Sequence, residues 1–157
     1  MAIWQYIRDH DNGITNFHFE IAADLLDKDE LDLLSTMRPG LVQLEIGVQS
    51  TNEKTLETIR RKTDIEEIRQ ITETINSWHN IHQHLDLIVG LPWEDLKRFK
   101  QSFNDVYSME PEQLQLGFLK ILKGSYMEEL ILECDLLYSA APPYEVLQTK
   151  WLSYGDV

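Results

Sequence analysis

The chain has 157 residues, enough for one domain with a core, and its 43% hydrophobic and 10% aromatic content is that of a folded protein. Against 27 Asp and Glu stand only 14 Lys and Arg, a net charge of −13, which argues against the basic footprint that nucleic acid requires. A single cysteine, Cys134, excludes an internal disulfide and any Cys-rich metal or cluster site within the chain, and no apolar stretch approaches the roughly 18 residues that span a membrane.

The elements follow in order. Ala2 to His10 reads as an amphipathic helix with Ile3, Trp4 and Ile7 on one side, stopped by Asn12-Gly13. Phe17 to Ile21 alternates as a strand, Asp29 to Met37 is a short helix closed by Pro39-Gly40, and Val42 to Val48 is the second strand. Asn52 caps a helix from Glu53 to about Arg61, and Asp64 starts a longer, charged one to about Trp78. Leu85 to Val89 is the third strand, ended by Gly90 and Pro92. Glu94 to Met109 is helical, and Leu114 to Leu119 is the fourth strand. Gly124 leads into a last helix through Cys134, and the tail carries Pro142-Pro143 and a short helix around Trp151. Strands separated by helix-length segments imply right-handed crossovers and a parallel sheet.

Each strand pairs an apolar face with a polar one. Leu44, Ile46 and Val48 oppose Glu45 and Gln49, whereas Phe17, Phe19 and Ile21 oppose His18 and Glu20. Leu85, Leu87 and Val89 oppose His84, Asp86 and Ile88, and Leu114, Leu116 and Phe118 oppose Gln115 and Gly117. A sheet wrapped by helices on both sides would not alternate in this way. The expected fold is α/β, a partial (β/α) TIM-type barrel of about four parallel strands with outer helices. Its concave side would hold a polar ligand near the C-terminal strand ends, where Glu20, Gln49 and Gly90-Leu91-Pro92 fall. A sheet face left in solvent is the competing explanation of the stripe.

Four stretches carry a resemblance: Phe19-Glu20-Ile21, Glu45-Ile46-Gly47-Val48-Gln49-Ser50, Arg61 in Ile59-Arg60-Arg61, and Asp86-Leu87-Ile88-Val89-Gly90-Leu91-Pro92. Together they resemble the second half of a radical S-adenosylmethionine barrel. The subgroup is the one that includes oxygen-independent coproporphyrinogen oxidase and the radical methylthiotransferases. The tail Ala140 to Leu147 and the phrase Thr15 to Glu20 look like radical proteins with a cobalamin-binding domain, such as the anaerobic magnesium-protoporphyrin ester cyclases.

The resemblance implies that Glu20 binds the amino group of S-adenosylmethionine and Arg61 its carboxylate. It implies that Gln49 and Asp86 bind the ribose, with Ile88, Gly90 and Leu91 near the adenine. The residue types suit these partners: carboxylate for ammonium, guanidinium for carboxylate, acceptors for vicinal hydroxyls. Other uses stay open. Glu20 could be solvated at a strand end, Arg61 could pair with Glu57, Gln49 could cap a loop, and Gly47 and Gly90 could merely turn the chain. Glu45 and His84 share the inward face without an assigned contact.

The family's three cluster cysteines and its glycine-rich segment have no counterpart here. The 4Fe–4S cluster is therefore expected on residues missing from this chain, cobalamin on a missing N-terminal domain, and no catalytic or metal-ligating residue is assigned. The chain is expected to be a piece of a longer enzyme: residues 1–135 the C-terminal portion of the barrel and 136–157 a truncated extension, inactive alone. The competing reading is a non-catalytic α/β interaction module. His79, His82 and His84 straddle a helix end and a strand, a poor arrangement for zinc. Expected partners are a small-molecule substrate for the whole enzyme, no nucleic acid and no membrane, and the expected location is cytoplasmic. The edge at Phe17 to Ile21 is expected to pair with a second copy.

Overall fold

A computed structural model describes residues 2–157. In chain order the elements are α1 (Ala2–Asp9), β1 (Phe17–Ile21), a single 3-10 turn (Ala23–Leu25), α2 (Lys28–Ser35) and β2 (Val42–Gln49). Then come α3 (Glu53–Thr58), α4 (Ile65–Asn76), β3 (His82–Val89), α5 (Leu96–Tyr107), β4 (Gln113–Phe118) and α6 (Tyr126–Glu129). A small hairpin, β5 (Leu137–Tyr138) with β6 (Val146–Gln148), follows. The main sheet is parallel, in the order β1-β2-β3-β4, so β1 and β4 are its edges; this is the expected α/β partial barrel.

The chain forms two compact units, and the division falls within β2, β3 and β4. Among the described residues the first unit contains 2–48, 63–86 and 106–115. Its helices start where the sequence supplies caps. Asp27 accepts from the Glu30 amide while Glu30 reaches back to the Asp27 amide, a reciprocal cap on α2. Asp64 accepts from the amides of Glu66 and Glu67 at the start of α4, which buries Ile68, Ile71 and Ile75 at helical spacing. Val42, Leu44, Ile46 and Val48 are buried along β2 while the residues between them are half-buried.

β3 begins at His82, three residues before the expected start, because Gln83 hides a buried position behind a polar side chain. Its amide donates to the Thr72 carbonyl at 3.0 Å and to Asn76 Oδ1 at 2.7 Å, so burial leaves neither donor stranded. Asn80 similarly closes α2, donating to the carbonyls of Leu34 and Met37 at 3.0 and 2.9 Å.

The second unit contains residues 49–62, 87–105 and 116–157. Its core is a cluster of Leu91, Leu119, Ile121, Leu130, Cys134 and Val146. Two expectations fail in this unit. The helix expected from Gly124 through Cys134 is only the four-residue α6, and the residues around Trp151 form turns after a hairpin rather than a helix. Tertiary pairing overrides local preference there. The Val146 amide donates to the Leu119 carbonyl, the Ile121 amide to the Tyr144 carbonyl and the Lys150 amide to the Cys134 carbonyl. With so short a helix after β4, the apolar residues Leu116 and Phe118 are not covered as expected; each is 43% exposed.

Candidate functional site

The first unit gathers acids on one face of the sheet. Glu20 on β1 stands directly opposite Glu45 on β2, in a parallel register that also pairs Phe19 with Leu44. Residues paired in this way project to the same side. Asp86 on β3 shares a hydrogen bond with the Glu45 carboxyl and lies in the field of Glu20. Burial first, then the Glu45 hydrogen bond and charge, then the Glu20 charge push the Asp86 carboxyl up to about 7. On the far side, His18 Nε2 lies 2.9 Å from Glu45 Oε2.

Beside this group, His84 Nε2 sits 3.3 Å from Asp86 Oδ1, with side chains only 8% and 16% exposed. The two atoms are not aligned, and neither has a hydrogen-bond partner. A buried polar atom without a partner is costly, and the Asp86 carboxyl resists ionisation where it is buried beside Glu45 and Glu20. Hydroxyl donors or a positive charge arriving at this face would relieve both penalties.

In the second unit the strand ends are fixed by side-chain bonds. Gln49 closes β2 with φ +69, a left-handed conformation that costs a non-glycine residue energy and survives only where its surroundings enforce it. The enforcement is visible in the next residues. Ser50 Oγ donates to Glu94 at 2.6 Å, Asn52 Nδ2 to the Trp93 carbonyl at 2.8 Å, and Thr55 Oγ1 to the Pro92 carbonyl at 2.7 Å. Gly90 has φ +93, which favours glycine, and packs below Leu119 and Val146.

Of the residues marked by sequence, the structure brings Glu20 and Asp86 together in the first unit and adds Glu45 and His84 beside them. Gln49, Arg61, Ile88, Gly90 and Leu91 belong to the second unit. Arg61 follows α3, its amide donating to the Leu56 carbonyl at 2.8 Å. Ile88 is half-buried against the core cluster, and Leu91, 2% exposed, is part of that cluster, so it presents backbone rather than side chain. His79 and His82 are exposed, and among the described residues no three His, Cys, Asp or Glu side chains are placed to hold a metal ion. Cys134 is 1% exposed, and burial pushes its thiol up. Sequence reasoning missed Glu94, a carboxylate buried among Ser50 and Ser102; the available signal was a run of hydroxyl and carboxyl residues at element ends.

No family model matches the chain. An oxygen-independent coproporphyrinogen-III oxidase-like protein, HemZ of Bacillus subtilis, is 30% identical over 110 residues, which is 66% of this chain and 20% of HemZ. Among solved structures, coproporphyrinogen III oxidase (HemN) from Escherichia coli, described as a radical SAM enzyme, superposes with a TM-score of 0.62 at 22% identity. That match covers 74% of this chain and 27% of HemN. The radical S-adenosylmethionine methyltransferase TsrM from Kitasatospora setae, solved with tryptophan and an aza analogue of S-adenosylmethionine, superposes with a TM-score of 0.71 at 13% identity. There the match covers 91% of this chain and 30% of TsrM. The structural likenesses are of fold. This chain spans about a fifth of its curated relative and under a third of either solved chain.

Proposed function

We propose that this chain, which belongs to the radical S-adenosylmethionine family, supplies residues that bind S-adenosylmethionine. The observation that carries the reading is the gathering of Glu20, Glu45 and Asp86 on one sheet face beside two buried polar atoms without partners. An adenosyl sulfonium amino acid offers an ammonium and a vicinal diol, which complement carboxylates in charge and in donor count. Glu20 takes the amino group and Asp86 the ribose hydroxyls in the first unit. For the second unit, taken by itself, the proposed roles are those the resemblance implies: Gln49 for ribose, Arg61 for carboxylate, and Ile88, Gly90 and the Leu91 backbone for adenine.

In the whole protein the reading is a radical iron–sulfur oxidoreductase that cleaves S-adenosylmethionine reductively to a 5′-deoxyadenosyl radical. This chain's residues do not fit the 4Fe–4S cluster: the lone thiol, Cys134, is enclosed in an apolar core. No step of the cleavage is therefore assigned to them. A cobalamin requirement is likewise a proposal for the whole protein, supported by a TsrM structure with cobalamin and a 4Fe–4S cluster bound. Small-molecule rather than nucleic-acid substrates fit the net charge of −13. No helix among the described residues is long and apolar enough to cross a membrane.

The test is calorimetric titration of the chain with S-adenosylmethionine and with 5′-methylthioadenosine, which lacks the amino acid moiety. Glu20→Gln is expected to weaken S-adenosylmethionine about tenfold and to leave 5′-methylthioadenosine unchanged, whereas Asp86→Asn weakens both. Equal effects of Glu20→Gln on the two ligands would remove the assigned role.

A second reading rests on a different surface. An apolar groove of about 320 Å³ lies along edge strand β1, lined by Ile3, Tyr6, Ile7, Phe17 and Phe19 among others. With its unpaired strand edge it fits self-association of this chain. A mass that doubles with concentration in light scattering supports this, and a constant monomer mass rejects it.

A further inference from the structure

Asp86 has two neighbours that the assignment above leaves without a task. Glu45, with its side chain 21% exposed, meets Asp86 carboxyl to carboxyl, and His84, at 8% exposed, holds an unpartnered Nε2 3.3 Å from Oδ1 without aligning to it. Two carboxyls in contact favour a proton between them until other donors arrive to hold the negative charge, because adjacent charges repel. A buried imidazole nitrogen aligned with nothing is not explained by folding alone. The described titratable groups facing Asp86 are Glu45 on β2, Glu20 on β1 and His84 on its own strand, with His18 reaching it only through Glu45.

We propose that Glu45 and His84 are positioning residues that make ribose binding at Asp86 proton-linked: the empty site holds one proton between Glu45 and Asp86, and a vicinal diol displaces it. This rests on the reading that Asp86 meets the ribose. In the empty site the proton bridges the two acids. When two ligand hydroxyls donate to Asp86, the carboxylate form is the one that accepts both, and the proton leaves to solvent. His84, in its Nε2–H form, then turns its N–H onto Oδ1. That bond fixes the plane of the carboxylate, so its remaining lone pairs face the ligand. Glu45 sets when the site can bind, and His84 sets how well.

The probe is 5′-methylthioadenosine, which carries the diol but no ammonium to titrate in the working range. With the Asp86 carboxyl near 7 when empty and well below that when bound, the wild-type dissociation constant is expected to be about tenfold larger at pH 6 than at pH 8. Glu45→Gln removes one cause of the raised Asp86 carboxyl but not its burial, so the tenfold ratio between pH 6 and pH 8 should shrink without vanishing, and an unchanged ratio would take Glu45 out of the linkage. His84→Ala is expected to weaken binding at pH 8 about three- to tenfold while keeping the wild-type pH dependence.

A companion measurement needs no ligand. Side-chain carboxyl carbon NMR of the free chain should show Asp86 titrating near 7, and lower in Glu45→Gln, where burial and the Glu20 charge still hold it above the ordinary carboxylate range. If Asp86 titrates in the ordinary range in the wild type, the inference is overturned whatever binds. Binding with the same affinity at pH 6 and 8 overturns it too and leaves the ribose reading intact. If Asp86 titrates near 7 but no nucleoside binds at either pH, the ribose reading fails while the shared proton stands.

Discussion

Replacing Glu94 by alanine is expected to loosen the junction that holds Gln49 in its left-handed turn. Glu94 is completely buried, and its Oε1 accepts from Ser50 at 2.6 Å and from Ser102 at 2.7 Å. The two hydroxyls are themselves anchored: Ser50 Oγ accepts from the Asn52 amide and Ser102 Oγ from the Thr51 amide. Truncation therefore strands the Ser50 donor and leaves Ser102 only the weaker 3.2 Å contact with Thr51 Oγ1. With hydrogen bonds to a charged group contributing about 1.5–3 kcal/mol each, Glu94→Ala should cost about 3–5 kcal/mol. Glu94→Gln keeps an acceptor for both serines and should cost about 1–2 kcal/mol.

The pH dependence adds a signature. Burial raises the Glu94 carboxyl, against the pull of Ser50, Ser102 and Arg98. A raised carboxyl stabilises the fold while protonated and loses that contribution as pH rises through its folded value, so Glu94→Gln gains on the wild type with rising pH. Urea denaturation at two pH values gives the energies, and amide exchange at Thr51 and Asn52 reports the junction itself. Equal losses for the alanine and glutamine variants, or unchanged exchange at those amides in Glu94→Ala, would show that the buried carboxylate does not organise this turn.

Asp86→Asn should become progressively more stable than the wild type as pH rises. The native carboxyl is at about 7 against 3.8 in the unfolded chain, so the wild type loses stability across that window and the amide does not. The relative gain between pH 5 and pH 8 should be about 1–3 kcal/mol by urea denaturation, and a pH-independent difference contradicts the crowding of acids. Gly90→Ala should cost about 1–2 kcal/mol through its φ of +93 alone, since the new methyl meets Leu119 and Val146 at an ordinary 3.6 Å. Gly90→Asn should cost more, because Gly90 is buried and the amide would lie against Leu119 and Val146, and the reverse order in thermal melts would show that backbone strain dominates. Cys134 should ignore thiol reagents in the native chain and react only on unfolding, because it is 1% exposed and its thiol is pushed up; rapid native labelling would refute its placement in the core.

The strand alternation at Phe17–Ile21 and Val42–Gln49 is a local property of the chain, since a period of two assigns residues to faces before any partner is known. The caps at Asn52 and Asp64 are local for the same reason: a short polar side chain reaches amides two or three residues away. Those signals were enough to set Glu20, Glu45, His84 and Asp86 on one face and to predict four parallel strands. What the chain after Gly124 becomes was beyond them. Its apolar residues allow a helix, and only the pairing of Leu137 with Gln148 and Tyr138 with Val146 makes a hairpin of its tail, which bonds from Val146 to Leu119 and from Ile121 to Tyr144 then hold in place. The proton-holding contact between Glu45 and Asp86, the unmatched nitrogen of His84 and the buried Glu94 also depend on distances between strands and turns far apart in sequence. Periodicity names the face a side chain occupies, whereas its ionisation and bonding depend on which neighbours the closed fold presses against it.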